Sequence, residues 1–509
     1  MQENRTDNAL RNSFSGMANK LINILVPFVT RTAIVYALGI EYVGLNSLFA
    51  SILQVLNLAE LGISSAVVYC MYKPMAENDH STLCALLCYM RRVYYIIGTV
   101  VILMGAILIP YLPNFISGTV PDDLNISVLY LIYLINTGIG YFFFAYKATL
   151  LNAGQKVGVI SNINSGIILF QGIAQIVVIT IFKNYYLFLA LQPIFTLLNN
   201  VFVSYATQKY YPDIICKGSL DAEIKHDISI RIKGLFVTRI CTATRNAFDS
   251  IFISSFIGLT AVGIYGNYYY IMGAIVSLLG VITTAMTASV GNSLVTETIE
   301  KNYSDFRKFN FVFNWISGFC TCCLLTIYQP FMKIWMGSKS LFPIHIVILI
   351  CVYFYFLNIG SIRAMYHDAA GLWWEARYRA IVEAVLNIVL NFMLTKRYGV
   401  FGTILGTLIS LILVNYIWGT QIVFKYYFKT ISAGQYFVDN LFFTFGTIIA
   451  CIVAYNISSC FSVEGILSIF LPLVVTIVAF NGVYFLLLFK TKLFKQSIEM
   501  VRNIIKRFL

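Results

Sequence analysis

Residues 31–73, RTAIVYALGIEYVGLNSLFASILQVLNLAELGISSAVVYCMYK, contain two apolar runs separated by a very short hinge at residues 38–44. Runs of this length and hydropathy predict a transmembrane helical hairpin. The second run carries six polar residues at steps of three and four: Ser47, Ser51, Gln54, Asn57, Glu60 and Ser64. In one continuous helix that spacing aligns them on a single face. Because unpaired polar groups are costly in hydrocarbon, we expect this face to line a hydrated cavity or to contact partner helices.

The overall composition is that of an integral membrane protein. Of the 509 residues, 59% are hydrophobic and 11% are charged, and the mean hydropathy is +0.79, whereas soluble domains carry about 25% charged residues. The first ten residues, MQENRTDNAL, are polar and lack the apolar core of a cleaved signal peptide. The eleven cysteines lie mostly in apolar runs and the four histidines lie far apart. We therefore expect neither disulfides nor a metal site, and no cofactor.

The hydropathy pattern predicts an all-α protein with fourteen transmembrane helices, because about 20 apolar residues cross a bilayer core. The predicted spans are residues 17–38, 43–72, 93–112, 127–150, 157–182, 185–207, 233–256, 262–288, 310–335, 342–366, 379–396, 400–424, 437–459 and 465–489. With a cytoplasmic N-terminus, the inner segments hold 26 of the 35 Lys and Arg residues and the outer segments hold five. Since cytoplasmic segments are enriched in these cations, both termini are predicted to be cytoplasmic. The orientation of the protein in the membrane then accounts for the excess of basic residues, so this excess does not indicate nucleic-acid binding.

An internal repeat divides the chain. Leu38–Leu45 (LGIEYVGL) matches Ile257–Ile264 (IGLTAVGI) 219 residues later, and Ala153–Gly154 recurs as Ala370–Gly371 at an offset of 217. The matches predict two six-helix units, with chance similarity of apolar segments as the alternative. Because each unit starts and ends in the cytoplasm, we expect parallel repeats related by an axis along the membrane normal. We assign residues 1–215 to an N-lobe of helices 1–6, residues 216–430 to a C-lobe of helices 7–12, and residues 431–489 to helices 13 and 14.

The last segment, residues 490–509, has the pattern of an amphipathic helix. Its apolar and basic residues fall on opposite faces, namely Phe494, Ile498, Val501, Ile504 and Phe508 against Lys495, Arg502 and Lys506. This pattern favours a cytoplasmic helix that lies on an anionic leaflet over a site for a regulatory partner.

Helix 7 carries a second polar stripe. Its members fall at steps of four, three and four: Thr238, Thr242, Arg245 and Asp249. The repeat offset maps them onto Asn19, Asn23, Val26 and Thr30 of helix 1, three of which are polar. Helices 1 and 7 thus present corresponding polar faces, which the repeat would direct at a common central space. Arg31 lies one residue after Thr30, the last of these positions on helix 1.

Charged residues at membrane depth are the main candidates for function, because burying them is costly. The repeat places Lys147 and Arg363 at nearly the same depth in the two halves, and helix 11 adds Arg379, Glu383, Asn387 and Asn391 at steps of four. The deep charges comprise five cations, Arg31, Lys147, Arg239, Arg245 and Arg363, and three acids, Glu60, Asp249 and Glu383. Their balance predicts a modestly cationic, hydrated cavity.

Structural roles are alternatives for several of these residues. Arg245 and Asp249, four residues apart, could neutralise each other. Glu60 could pair with Arg31 across the hairpin, and Lys147 could snorkel to the cytoplasmic surface. Arg363 has no obvious partner in sequence, so a functional role is best supported there. A cationic cavity suits a lipid with an anionic head group, and Arg binds phosphate oxygens in pairs.

Three stretches resemble the Wzx-type polysaccharide flippases of the multidrug/oligosaccharidyl-lipid/polysaccharide exporter superfamily. They are YALGIEYVGLNSLFASILQVLNLAELGISSAVVYCMYKPMAEND at residues 36–79, AFDSIFISSFIGLTAVGIYGNYYYI at 247–271 and DAAGLWWEARYRAIVEAVLNIVLNFMLTKRYGVFGTILGTLIS at 368–410. The resemblance implies a fourteen-helix, two-lobed transporter of the bacterial plasma membrane. It would move undecaprenyl-diphosphate-linked oligosaccharide outward by alternating access, for capsule, O-antigen or exopolysaccharide synthesis.

The resemblance also implies roles for the deep residues. The diphosphate and sugar would lie against Arg31, Arg245 and Arg363, with Lys147, Arg239, Gln54 and Asn57 as further cavity residues. Coupling to a proton or sodium gradient would use Glu60, Asp249 or Glu383. Membrane lipids and a polysaccharide polymerase are expected partners.

Two other functions compete with the flippase. A drug or cation antiporter of the same superfamily would want an acidic cavity, whereas the deep charges here are in cationic excess. A membrane-embedded glycosyltransferase or polymerase would place catalytic carboxylates in a sizeable external loop. The longest external loop, near residues 112–126, offers only Asp122 and Asp123, so we do not expect an enzyme.

Overall fold

A computed structural model describes residues 5–60, 63–118, 120–121, 123–222, 224–225, 228, 247–461 and 463–508, and only the backbone of residues 5–14, 58–59, 288 and 504–508. Within these ranges the regular structure is entirely helical. The chain forms two compact units, residues 1–263 and 264–509. The predicted lobe boundaries at residues 215, 430 and 489 stay predictions.

The first unit contains nine helices among the described residues. They are α1 (Arg5–Ala37), α2 (Ile40–Leu56), α3 (Ile63–Glu77), α4 (His80–Leu108), α5 (Ile126–Phe142), α6 (Ala148–Ala153), α7 (Val157–Ile181), α8 (Tyr185–Tyr210) and α9 (Ala247–Phe256). Asx residues begin several of them, as Asp79 does by accepting the Thr82 amide at 3.1 Å. Hydrogen bonds from Ser81 and Thr82 lower the pKa of this exposed carboxyl to about 2. One apolar core packs around Leu45, Phe49 and Tyr130.

The second unit continues from α10 (Leu259–Thr296), whose first turn belongs to the first unit. Its further helices are α11 (Ile299–Met336), α12 (Ile344–Ile359), α13 (Ser361–Ala369), α14 (Arg377–Ser410), α15 (Gly419–Val423), α16 (Gly434–Ser459), α17 (Leu467–Leu488) and α18 (Lys492–Phe508). Two π-helical segments, Leu411–Trp418 and Phe424–Phe428, precede and follow α15. Gly399, at φ 61° and ψ −142°, divides α14 into two helices.

The described residues include ten helices long and apolar enough to cross a membrane, or eleven if the bent pair α5 and α6 counts as one span. The predicted number of fourteen therefore stays a prediction. The tail forms helix α18, whose Phe494 ring packs against Trp315 and Phe311 of α11, at 5.9 and 6.0 Å between centroids. Its contact with a lipid leaflet stays a prediction.

The prediction of one continuous helix over residues 43–72 is wrong. Helix α2 ends at Leu56, a 3₁₀ turn covers Asn57–Glu60, and α3 begins at Ile63. A 3₁₀ turn has three residues per turn, so it changes the phase of the polar stripe. Asn57 and Glu60 thus lie at a helix interruption, whereas Ser51 is buried inside α2 and Gln54 is exposed.

The first repeat match has the same backbone in both copies. Gly39 and Gly258 both have positive φ, 128° and 124°, at the turns that begin α2 and α10, and this conformation favours glycine. A Cβ on Gly44 would overlap the Leu259 carbonyl, and one on Gly263 would overlap the Ile40 carbonyl. Leu259 and Gly263 are themselves the repeat equivalents of Ile40 and Gly44, so this contact within the first unit is reciprocal.

The second match holds with a corrected register. Gln155 (φ 57°) follows α6 and Gly371 (φ 67°) follows α13 in equivalent caps. The turn at Lys183 (φ 47°) likewise corresponds to the turn at Gly399. Both pairs differ by 216 positions, as from 155 to 371, so the offset of 217 read from the sequence is one residue too large. At 216, Lys147 falls directly on Arg363.

Candidate functional site

Two interrupted helices carry these equivalent cations. Helices α5 and α6 meet at an angle of 45°, with Phe144 at φ 61° between them. Helices α12 and α13 are separated at Gly360, the equivalent of Phe144 at the corrected offset. Interruptions inside membrane helices free backbone groups and are a common feature of transporter binding sites. Lys147 and Arg363 each lie three residues beyond the interruption.

Arg363 is fixed to the π-helical segment that follows α14. Its side chain is buried, with 5% of the residue exposed. Nη1 donates to the Asn415 carbonyl oxygen at 2.5 Å and Nη2 donates to Asn415 Oδ1 at 2.7 Å. Buried Nε has no acceptor in the described part of the chain. Gly419 lies against the guanidinium, and a Cβ there would overlap it.

Asn415 connects Arg363 to a buried ion pair. Its Nδ2 donates to both carboxylate oxygens of Glu383, at 3.2 and 3.0 Å, and Glu383 Oε2 also accepts Arg379 Nη1 at 3.0 Å. We call Arg363, Asn415, Glu383 and Arg379 the C-half network. It holds two guanidinium groups and one carboxylate, so its formal charge is +1. Burial of charge in that ratio is costly unless another anion compensates it.

The hairpin at Gly399 positions the C-half network. Polar side chains link its two helices at successive turns: Thr395 with Thr403 at 2.8 Å, Asn391 with Thr407 at 3.2 Å, and Asn387 with Thr407 at 3.1 Å. These contacts are buried, and the contact of Glu383 with Asn415 is the next one along the same two helices. The predicted stripe on helix 11 therefore faces the next helix of the chain.

Lys147 has a simpler environment in the first unit. Its Nζ donates to Ser204 Oγ at 2.8 Å and lies 5.4 Å from the centroid of the Phe144 ring. The side chain is half-buried. Asn199, the equivalent of Asn415 at the corrected offset, has a buried Oδ1 without a hydrogen-bond partner among the described residues.

Glu60 is the acidic centre of the first unit. It accepts hydrogen bonds from the hydroxyls of Tyr94 at 2.9 Å and Tyr141 at 3.0 Å. The Tyr141 hydroxyl also lies 3.1 Å from Asn57 Oδ1, so the helix interruption brings Asn57 and Glu60 to one phenol. The alternative pair of Glu60 with Arg31, which is half-buried, stays a prediction.

The predicted stripe on helix 7 falls largely outside the described residues. Thr238, Thr242 and Arg245 of the stripe, and the neighbouring cavity candidate Arg239, lie outside the described residues. Asp249, on α9, is described and buried. Its pairing with Arg245 therefore stays a prediction. In the described ranges no three His, Cys, Asp or Glu side chains group as metal ligands.

An apolar cavity of about 340 Å³ lies in the second unit between α11, α12 and α16. Tyr355, Cys351 and Cys451 are among its lining residues, and Ile448 and Ile452 of α16 line it with exposed side chains. In a membrane protein such a cavity can hold hydrocarbon.

Sequence reasoning missed Asn415, Asn199, Tyr94 and Tyr141. A signal for the first two exists, because Lys209-Tyr210-Tyr211 recurs as Lys425-Tyr426-Tyr427 at the offset of 216 and aligns the two asparagines. The tyrosines carry no comparable signal, since the chain contains 34 of them.

These features define a multi-pass membrane protein, and its fold is that of MATE transporters of the MOP superfamily. A solved inward-facing multidrug resistance MATE family transporter of the MOP superfamily matches with a TM-score of 0.60 and 14% identity, over 82% of this chain and 96% of that one. An outward-facing structure, also described as a multidrug resistance MATE family transporter, matches with a TM-score of 0.55 and 13% identity, over 83% and 96%. The MATE multidrug transporter DinF-BH matches with a TM-score of 0.57 and 15% identity, over 84% and 96%.

No protein-family model and no curated protein matches the sequence. The structural matches confirm the predicted all-α fold with two lobes. At these identities they establish the fold alone, because one fold serves many substrates.

Proposed function

We propose that the protein is a flippase that moves undecaprenyl-diphosphate-linked oligosaccharide from the inner to the outer leaflet of the bacterial plasma membrane. The observation that carries the proposal is the C-half network. Two buried guanidinium groups and one carboxylate meet around Asn415 there, and Arg363 Nε–H has no acceptor among the described residues. An anionic cargo would supply an acceptor to this N–H group and pair with the Arg363 charge.

The diphosphate suits this site for a geometric reason. A guanidinium binds two phosphate oxygens with parallel N–H groups, which an ammonium group cannot do. Arg363 is the primary ligand, Lys147 supplies a second cation at the equivalent position, and Arg31, Arg239 and Arg245 complete the cationic set. Gln54 and Asn57 would contact the sugar. The apolar cavity beside α16 provides a place for part of the polyprenyl tail.

A coupling ion would act through an acidic residue. Of Glu60, Asp249 and Glu383, we favour Glu60, because its partners are neutral phenols whereas Glu383 is ion-paired with Arg379. A proton or a sodium ion fits the proposal equally. Cytoplasmic termini and contact with a polysaccharide polymerase belong to the same proposal.

The direct test is the fate of the cargo in cells. Deletion should leave undecaprenyl-linked oligosaccharide facing the cytoplasm and stop polymer export, and the intact protein should restore both. Arg363→Ala should not restore them, whereas Arg307→Ala should, because Arg307 pairs with Asp439 and is not a member of the C-half network. Absence of accumulated lipid-linked oligosaccharide in the deletion strain would reject the flippase.

A drug or cation antiporter is the second candidate. Glu60 favours it, because a carboxylate held by two phenols can attract a cationic drug, and the matched structures include multidrug transporters. Drug accumulation in cells with and without the protein tests it. Efflux that depends on Glu60 and is unaffected by Arg363→Ala would establish the antiporter instead.

The enzyme alternative has little support from the described external loop. Of its two carboxylates, Asp122 lies outside the described residues and Asp123 accepts hydrogen bonds from the Tyr42 hydroxyl at 2.8 and 2.9 Å. The fold is also one of transporters. We therefore propose transport without covalent chemistry.

A further inference from the structure

The start of α14 holds an arginine between two exposed aromatic rings. The guanidinium carbon of Arg377 lies 4.0 Å from the centroid of the Trp374 ring and 4.5 Å from that of Tyr378. Nη1 donates to the Trp374 carbonyl oxygen at 2.6 Å. Two cation–π contacts and one hydrogen bond therefore hold the guanidinium in place. Its Nε–H and Nη2–H groups have no acceptor in the described ranges.

The neighbouring residues leave this arginine available. Trp374 and Tyr378 are each 60% exposed. The nearby carboxylate of Asp368 is engaged by the Trp373 indole N–H at 3.2 Å and by His367 Nδ1 at 2.9 Å. Glu375 is half-buried. An anion could thus approach the free edge of Arg377 without displacing an existing partner.

The position along α14 indicates the partner. An exposed apolar stripe begins beside Tyr378 and continues along the helix at steps of three and four: Ile381, Val382, Val385, Val389, Phe392 and Met393. Exposed apolar side chains on a membrane helix contact acyl chains, and Trp and Tyr rings mark the level of the head groups. Arg377 therefore lies at the depth of lipid phosphates, on the side that the charge map makes cytoplasmic.

We propose that Trp374, Arg377 and Tyr378 form a binding site for the phosphate head group of a lipid in the cytoplasmic leaflet. The guanidinium edge binds the phosphate oxygens, the rings keep it oriented, and the acyl chains lie along the apolar stripe of α14. The site belongs to the second half alone, because the repeat equivalents of these residues are Gly158, Ser161 and Asn162. It does not depend on which cargo the protein carries.

Native mass spectrometry of the full chain in detergent tests the proposal. Titration with phosphatidic acid should give one tightly bound lipid, and phosphatidylcholine should bind more weakly. Arg377→Gln should raise the half-saturating concentration about tenfold, since it removes the charge that strengthens the hydrogen bonds to the phosphate. Arg397→Gln is the matched control, because Arg397 lies near the other end of the same hairpin helix over a single ring, that of Tyr398, at 5.4 Å.

Further variants separate the alternatives. Arg377→Lys keeps the charge but loses the fork, so it should recover only part of the affinity, and Trp374→Ala should weaken binding by releasing the guanidinium. Wild-type affinity in Arg377→Gln would overturn the proposal. Complete competition by millimolar inorganic phosphate would also overturn it, because the site would then bind free phosphate. Thermal unfolding of each variant confirms that the protein is folded.

Discussion

The two interrupted helices carry a cation at the same repeat position and use it differently. Arg363 is buried and bonded to Asn415, which joins it to Glu383 and Arg379. Lys147 is half-buried and donates to the neutral Ser204 hydroxyl. The helix interruption and the charge thus occur in both halves, whereas the surrounding network occurs in one.

Helix α7 explains the difference. At the corrected offset, the equivalents of Arg379 and Glu383 are Ile163 and Ile167. In the first half, this helix therefore offers neither an arginine nor a carboxylate at these two positions, and Asn199 has a buried Oδ1 without a hydrogen-bond partner among the described residues. The two halves thus share the backbone of this region, and the side chains at two positions of one helix decide whether a buried charge network forms.

Arg363→Ala should have the largest effect. It removes the cation that the proposed diphosphate needs and leaves Asn415 without its donors, so polymer export should be abolished while the protein remains inserted. We expect the same of Arg245→Ala. Export and protein level are measured together in a deletion strain. Full export by both variants at normal protein level would reject the cationic site.

Glu383→Gln should be the most destabilising change in the C-half network. It removes the carboxylate charge that Arg379 contacts at 3.0 Å, and breaking a buried pair costs about 3–5 kcal/mol. Thermal unfolding in detergent measures it. Asp439→Asn is the control, since the Arg307–Asp439 pair is partly exposed and should cost about 1 kcal/mol or less. Equal shifts in the two variants would contradict the difference in burial.

Gly402→Ala should destabilise the hairpin that carries the network. A Cβ at Gly402 would overlap the Leu394 carbonyl on the facing helix, and such overpacking costs about 1–3 kcal/mol. Gly166→Ala in α7 is the matched control, because a Cβ there meets nothing within 4 Å and alanine is the better helix former. The first variant should lower the unfolding temperature and the second should not.

Lys147 should tolerate change better than Arg363. Because its partner is a neutral hydroxyl, Lys147→Arg should keep most export and Lys147→Gln should reduce it a few-fold. Arg363→Lys should fail more severely, since an ammonium group lacks the planar fork whose two nitrogens bond the carbonyl and Oδ1 of Asn415 separately. Initial export rates of the three variants measure the difference. Equal tolerance at the two positions would remove the functional asymmetry.

Much of the fold follows from the sequence, because hydropathy and the glycines of the repeat are local signals. Gly39 and Gly258 fold as their shared motif predicts. The polar residues at steps of four on helix 11 do share one face, and in the structure this face contacts the next helix of the chain. These features depend on backbone periodicity and on glycine, which a sequence displays directly.

The helix interruptions and the network could not be predicted in the same way. No glycine or proline lies between α5 and α6, where the chain reads Phe-Phe-Ala-Tyr-Lys, so tertiary packing decides that break. The contact of Arg363 with Asn415 depends on the π-helical register of residues 411–418. Hydropathy contains no information about such a register.

The direction in which Asn415 points depends on the number of residues in the π-helical segment. Its wider turns hold one more residue than an α-helix would between the hairpin and Asn415. Deletion of one residue from Leu411–Val414 would convert the wide turns to ordinary α-helix, which absorbs the loss and leaves Asn415 close to its present direction. Insertion of one residue there would instead rotate Asn415 by about 100° around the axis, away from both Arg363 and Glu383. An insertion in this segment would thus disconnect the network with every charged side chain intact, a kind of variant that substitution scanning never samples.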